Sequence, residues 1–161
     1  MRVVLDTNAV LASVSINSPY RIIRDSVESG LIEICLSTEI LLEYDEKLTQ
    51  IFNSKVAENY FKALQNAPKI LHIEPSFRWQ LISADPDDNK FVDCAFAANA
   101  HYLVTNDRHY NILKDVTFQN SMLLVLSHLR IFSKVYSIIF PQVLTCRTCF
   151  GGGFFLMKNE K

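Results

Sequence analysis

The sequence of 161 residues carries no strong charge of either sign: 16 Lys and Arg stand against 17 Asp and Glu, a formal net charge of −1. It therefore has no global basic footprint, and any nucleic-acid binding must come from a local patch. Cations held in an acidic pocket would be missing from that count. Long apolar runs are absent too. No uncharged stretch approaches the ~18 residues that a spanning helix needs, and the nearest candidate, 135–144, is broken by Pro141 and Gln142. At the N-terminus the run Val3-Val4-Leu5 stops at Asp6, too short for the apolar region of a signal peptide. A cytoplasmic protein without membrane association is expected. Cysteine is sparse. Cys35 and Cys94 lie in apolar segments and read as small core residues of a reducing compartment. Cys146 and Cys149 make a lone Cys-x-x-Cys without the second pair that a zinc site wants. Among the glycines, Gly151-Gly152-Gly153 has no Lys-Ser or Lys-Thr after it and is no phosphate loop. No Gly-x-Ser-x-Gly, no positioned Cys-His pair and no internal repeat is present.

What is there suits one soluble domain. The length fits the usual ~100–200 residues of a domain, and 49% apolar with 20% charged residues allows a substantial core. Val3 to Leu5 opens as a strand buried on both faces, as strands of a parallel sheet are. Ser18-Pro19 reads as an N-cap with proline at the first helical position, Ile22, Ile23 and Val27 form a helix-spaced stripe, and Gly30 suits a left-handed stop. Leu31 to Leu36 follows as a strand. Ser37-Thr38 can cap a helix carrying Ile40, Leu41, Tyr44, Leu48, Ile51 and Phe52, and a further helix covers about 55–65. Lys69 to Ile73 reads as a short strand ended by Pro75, and 76–84 is ambiguous. Asp85-Pro86-Asp87-Asp88 opens a helix to about Ala100, its acids placed where the helix dipole favours them. Strands are expected at Tyr102 to Thr105 and Met122 to Leu126. Alternating strands and helices argue for a parallel α/β sheet. The division expected is a domain over 1–140 and a C-terminal tail over 141–161, rich in Phe and Cys.

Two apolar strands stop in carboxylates, Leu5 in Asp6-Thr7-Asn8 and Val104 in Thr105-Asn106-Asp107. The carboxyl ends of strands are where open α/β sheets place their ligands, so Asp6 and Asp107 can face one crevice. Taken singly, each is also ordinary turn or cap chemistry. Asp93 is the third acid, in a helix apolar on almost every side, and a buried carboxylate is costly unless paired or bound to a cation. A fourth would come from the helix after Ser37, where Glu39, Glu43, Asp45 and Glu46 compete. Helical spacing puts Glu43 beside the apolar stripe and Glu46 away from it, a mild preference that leaves the choice open. Converging acids raise one another's pKa unless a cation neutralises them. Hard oxygen ligands suit Mg2+ or Mn2+, which leave room for substrate phosphate, and the matching reaction is hydrolysis of a phosphodiester.

The segments Val3-Val4-Leu5-Asp6-Thr7-Asn8, Ser37 to Glu43, Asp85 to Asp93 and Leu103-Val104-Thr105-Asn106-Asp107 together resemble the PIN-domain (PilT N-terminus) family, especially the VapC-like toxins of toxin–antitoxin systems. The resemblance covers about residues 1–127. It implies a three-layer α/β/α sandwich with a central parallel sheet, and a metal-binding, catalytic quartet of Asp6, Glu43, Asp93 and Asp107. It also implies Mg2+- or Mn2+-dependent cleavage of single-stranded RNA, a cognate antitoxin as inhibitor, and a capacity to form a homodimer. Thr7, Asn8 and Thr105 would orient the acids. Asp88 could reach a metal or serve as a helix cap, and Arg108 and His109 could contact phosphate or be surface residues. A non-catalytic RNA- or partner-binding module that keeps the fold is the alternative. A dehalogenase-like phosphatase would want Asp where Asn8 stands, and a dinucleotide enzyme a glycine-rich turn after the first strand.

Overall fold

A computed structural model describes residues 1–115 and 124–126. Five strands form one parallel sheet in the order β3-β2-β1-β4-β5: β1 is Arg2–Leu5, β2 Glu33–Leu36, β3 Ile70–His72, β4 Tyr102–Val104 and β5 Leu124–Leu126. The helices are α1 Thr7–Val14, α2 Arg21–Glu28, α3 Thr38–Ile51, α4 Ser54–Gln65 and α5 Asn89–Ala97, with 3-10 turns at Pro86–Asp88 and Arg108–Asp115. The chain steps from β1 to β2 to β3 in one direction, then returns across the sheet to β4 beside β1. Right-handed crossovers therefore set α1 to α4 on one face and α5 on the other. α1 to α4 pack on one another and α5 covers β1, β2 and β4. The α/β architecture expected from the sequence is the one observed. The reversal of direction falls between β1 and β4, the place where doubly wound sheets open a crevice.

The apolar runs explain the central strands. Val3, Val4, Leu5, Ile34, Cys35, Leu36, Leu103 and Val104 are all buried, because helices cover both faces. Cys35 and Cys94 are free thiols in this core, as read from their surroundings. The Cys146/Cys149 pair, the boundary near 140 and the tail 141–161 lie outside the described residues. Among the described residues no helix is long and apolar enough to cross a membrane.

Three local readings change. A helix begins at Thr7, immediately after Asp6, where the sequence showed only a polar stop. Ser18 does not cap α2: its Oγ accepts from the Tyr20 amide in a turn, and the helix starts at Arg21. The helix from Asp85 is a 3-10 turn followed by α5, which stops at Ala97 because Asn99 takes a left-handed conformation (φ 47°). The ambiguous 76–84 segment has no regular structure and is tied to α5. Asn89 accepts the Ile82 amide on its side-chain carbonyl (2.9 Å) and donates its side-chain amide to the Ile82 carbonyl (2.8 Å). Trp79 packs against Phe77 and Phe96.

Gly30 ends α2 with φ +71°, and a Cβ there would lie 3.1 Å from Pro68 Cβ. Only glycine enters this region without cost. Gly30→Ala is expected to lower stability by about 1–2 kcal/mol, read as a lower denaturant midpoint. An unchanged midpoint would show that the backbone relaxes at no cost.

Candidate metal-binding site

Register places the first carboxylate. Leu5 pairs with Val104, and the next amide, that of Asp6, donates to the Val104 carbonyl at 2.9 Å. Asp6 and Thr105 thus lie side by side where β1 and β4 end. Asp6 is the N-cap residue of α1, yet its side chain caps nothing. Instead its Oδ2 accepts from Thr105 Oγ1 at 2.8 Å and from Asn8 Nδ2 at 3.4 Å. The residue is 3% exposed. Burial pushes its pKa from the ordinary 3.8 to about 6, against the hydrogen bond from Thr105, and the charges of Asp88 and Glu43 push the same way.

α3 delivers Glu43. Ser37 caps this helix through the Ile40 amide, and the buried Tyr44 hydroxyl donates to the Leu5 carbonyl, which fixes α3 against the end of β1. Glu43, the neighbouring residue, then receives Thr7 Oγ1 on Oε1 at 2.6 Å. Its Oε2 lies 2.6 Å from the ammonium of Lys90, a side chain 17% exposed on the first turn of α5.

The 3-10 turn before α5 delivers Asp88. Its Oδ1 accepts from the Tyr110 hydroxyl at 3.2 Å, and its Oδ2 lies 3.4 Å from His109 Nδ1. Burial first, then the charge of Asp85, raises its pKa, with Asp107 adding to the rise against hydrogen bonds from Tyr110 and His109. Asp107 closes the group. Its amide donates to Thr105 Oγ1 at 2.9 Å, and its Oδ1 accepts from the His109 amide at 2.9 Å. The Thr105 hydroxyl therefore donates to Asp6 while it accepts from Asp107. Single ligand atoms of Asp85, Asp88 and His109 lie within 4.8 Å of one another, a group able to hold a metal ion. Tyr110 stands in the middle: burial and then the charges of Asp6, Asp88 and Glu43 drive its phenol pKa far up, so it stays a donor.

The structure brings Asp6, Glu43 and Asp107 to this end of the sheet, with Thr7, Asn8 and Thr105 bonded within the group. It does not bring Asp93 there. Asp93 lies within α5, five residues beyond Asp88 of the preceding 3-10 turn, and meets a different segment. Its Oδ1 accepts from the Trp79 amide at 2.9 Å. Burial raises its pKa, and the charges that act on it are those of Arg78 and Glu39. Asp93 is 2% exposed, as its apolar helix foretold, but it anchors the 76–84 segment. Asp88, weighed from sequence equally as a cap, lies near enough to Asp6 for its charge to raise the Asp6 pKa. His109 bonds to the acids, and Arg108 is exposed. Lys90, Asp85 and Tyr110 escaped the sequence reading; the signal for them was their position beside Asp88 and Asp107 in the same two motifs.

The raised pKa fixes a pH dependence. The folded state holds the Asp6 proton more tightly than the unfolded chain, so metal-free stability falls as pH rises from about 4 to about 6. The shift corresponds to a cost on the order of 3 kcal/mol once Asp6 is ionised. Asp6→Asn removes that cost. It is expected to raise the melting temperature of the metal-free protein at pH 7.5 by several degrees more than at pH 4.5. Equal shifts at both pH values would show that the carboxylate is not strained.

Comparison with known proteins places these segments. Residues 2–109 match the family described as PIN domain. A structure titled as VapBC2 from Rickettsia felis bound to a DNA fragment from their promoter contains a chain that superposes with TM-score 0.54 at 17% identity, over 78% of this chain and 98% of that one. At that identity the likeness speaks for the fold. No curated protein matches the sequence.

Proposed function

The chain belongs to the PIN-domain family, and from that premise we propose that it is a metal-dependent endoribonuclease, the toxin of a toxin–antitoxin pair acting in the cytoplasm. The observation that carries the reading is the buried Asp6 carboxylate, which faces the charges of Asp88 and Glu43 at the reversal point of a parallel sheet. Such a cluster is costly without a cation. Its donors, carboxylate oxygens with one imidazole, fit Mg2+ or Mn2+. Asp6, Asp88 and Asp107 would hold the ion, with Glu43 on the flank and Asp85 and His109 in reach. When bound, the ion supplies an acidified water and neutralises charge on a phosphodiester.

The protein's own groups prepare that reaction. Thr105 and Asn8 fix Oδ2 of Asp6, and the Thr7 backbone adds a further hydrogen bond to the carboxylate. Thr7 orients Glu43. Tyr110, itself fully buried, donates to Asp88. No side-chain nucleophile is required, and single-stranded RNA is the substrate proposed. The Rickettsia structure, titled as a VapBC2 complex with promoter DNA, supports an antitoxin as the protein partner. Self-association as a homodimer is proposed on the family resemblance.

Cleavage of a fluorescent single-stranded RNA in Mg2+ or Mn2+ tests the assignment. Asp6→Asn and Asp88→Asn are expected to lower kcat by roughly 100-fold or more. Asp93→Asn keeps an acceptor for the Trp79 amide and is expected to stay within roughly tenfold of the wild type. Loss of cleavage in Asp93→Asn alongside an active Asp88→Asn would return the third carboxylate to Asp93. A wild type that binds RNA and never cuts it would favour the binding module.

A further inference from the structure

Lys90 lies in the acidic pocket, and the sequence motifs gave it no role. Its ammonium is 2.6 Å from Glu43 Oε2, and the side chain is only 17% exposed. Glu43 Oε1 is already taken by the Thr7 hydroxyl at 2.6 Å. Oε1 of this carboxylate is therefore hydrogen-bonded, and Oε2, which has no hydrogen-bond partner among the described residues, is compensated by the ammonium charge alone. The other acids differ. Asp6 receives its two side-chain donors on Oδ2, and Asp88 offers a ligand atom to the group with Asp85 and His109. The pocket thus divides into a side open to a cation and a side where a cation is already built in.

We propose that Lys90 fills the second cation position of the site, so that the protein binds a single divalent ion, on the Asp6 and Asp88 side, and Glu43 serves it only through Lys90. The inference rests on the nuclease reading above and deepens it. Two-ion sites hold their ions ~3.5–4 Å apart to stabilise the attacking and leaving oxygens together. A protonated amine beside Glu43 can stabilise the leaving oxygen instead, since Lys is a compact point charge with three donors. It also repels a second divalent ion from the same carboxylate. Lys90 is placed for this by the first turn of α5, whose preceding residues carry Asp85 and Asp88.

Counting bound Mn2+ at pH 7.5, by calorimetry and by the spin-resonance signal of free Mn2+, tests this without reference to turnover. The wild type is expected to bind one ion per chain. Lys90→Met, which keeps the length of the side chain and removes its charge, is expected to bind two, the first roughly tenfold more tightly than in the wild type. Lys90→Arg is expected to return to one. Two ions on the wild type, with RNA cleavage intact, would overturn the role of Lys90 and leave the nuclease reading standing. No Mn2+ on the wild type would overturn the nuclease reading and this inference with it. One ion on folded Lys90→Met, verified by circular dichroism, would show that the ammonium excludes nothing.

Discussion

Keeping the Asp6 carboxylate out of water is the constraint on which the carboxyl end of this sheet is organised. The backbone leaves little choice in the matter. Once Leu5 is paired with Val104 and the Asp6 amide is given to the Val104 carbonyl, the side chain emerges between two strands covered on both faces. An ionised carboxylate there must be compensated by hydrogen bonds or by a cation. Thr105 and Asn8 supply the first kind of compensation, yet Asp6 still titrates near 6 rather than 3.8. The charges of Asp88 and Glu43 then add to a cost that hydrogen bonds have not removed. A divalent cation would offset that cost, and the core behind the group, from Val3 to Leu103, supplies the stability that lets the strain persist.

The remaining acids are held by contacts that also build the fold, which makes the site rigid. Tyr44 bonds the end of β1 from the middle of α3, and that same contact sets the height of Glu43 along the strand. Thr105, the residue after β4, accepts the Asp107 amide on its hydroxyl and so fixes the turn that carries Asp107. Precision of this kind comes from regular elements rather than from loops.

The central strands were legible because burial on both faces leaves a continuous apolar run, and Asp6 and Asp107 were legible because each ends such a run. α1 was not legible. Asp6-Thr7-Asn8 has the chemistry of a turn and of a helix start alike, and only the tertiary pull on the Asp6 side chain separates the two. Asp93 shows the other limit. Apolar neighbours in sequence predict burial and predict it correctly, since the residue is 2% exposed. They do not say which surface lies opposite. That depends on the azimuth of α5 over the sheet, fixed by its packing on β1, β2 and β4. Lys90 and Glu43 belong to helices far apart in the chain, and no period within either helix points to the other.

The 3-10 turn at Pro86–Asp88 and the helix α5 that follows it carry acids with different surroundings. Asp93 and Asn89 both accept backbone amides of the 76–84 segment, those of Trp79 and Ile82, and so give partners to a stretch that has no ladder of its own. An amide would serve at 93 nearly as well as a carboxylate, because a single acceptor is used and Asp93 Oδ2 has no hydrogen-bond partner among the described residues. At 88 an amide would not serve. There the charge itself acts, on Asp6 and on Tyr110, and a neutral side chain would remove the repulsion that makes a cation welcome. Asp93 is thus bonded to the 76–84 segment, while Asp88 is bonded to Tyr110 and lies beside His109. The separation lets the segment beyond β3 be anchored without adding a further like charge to the pocket.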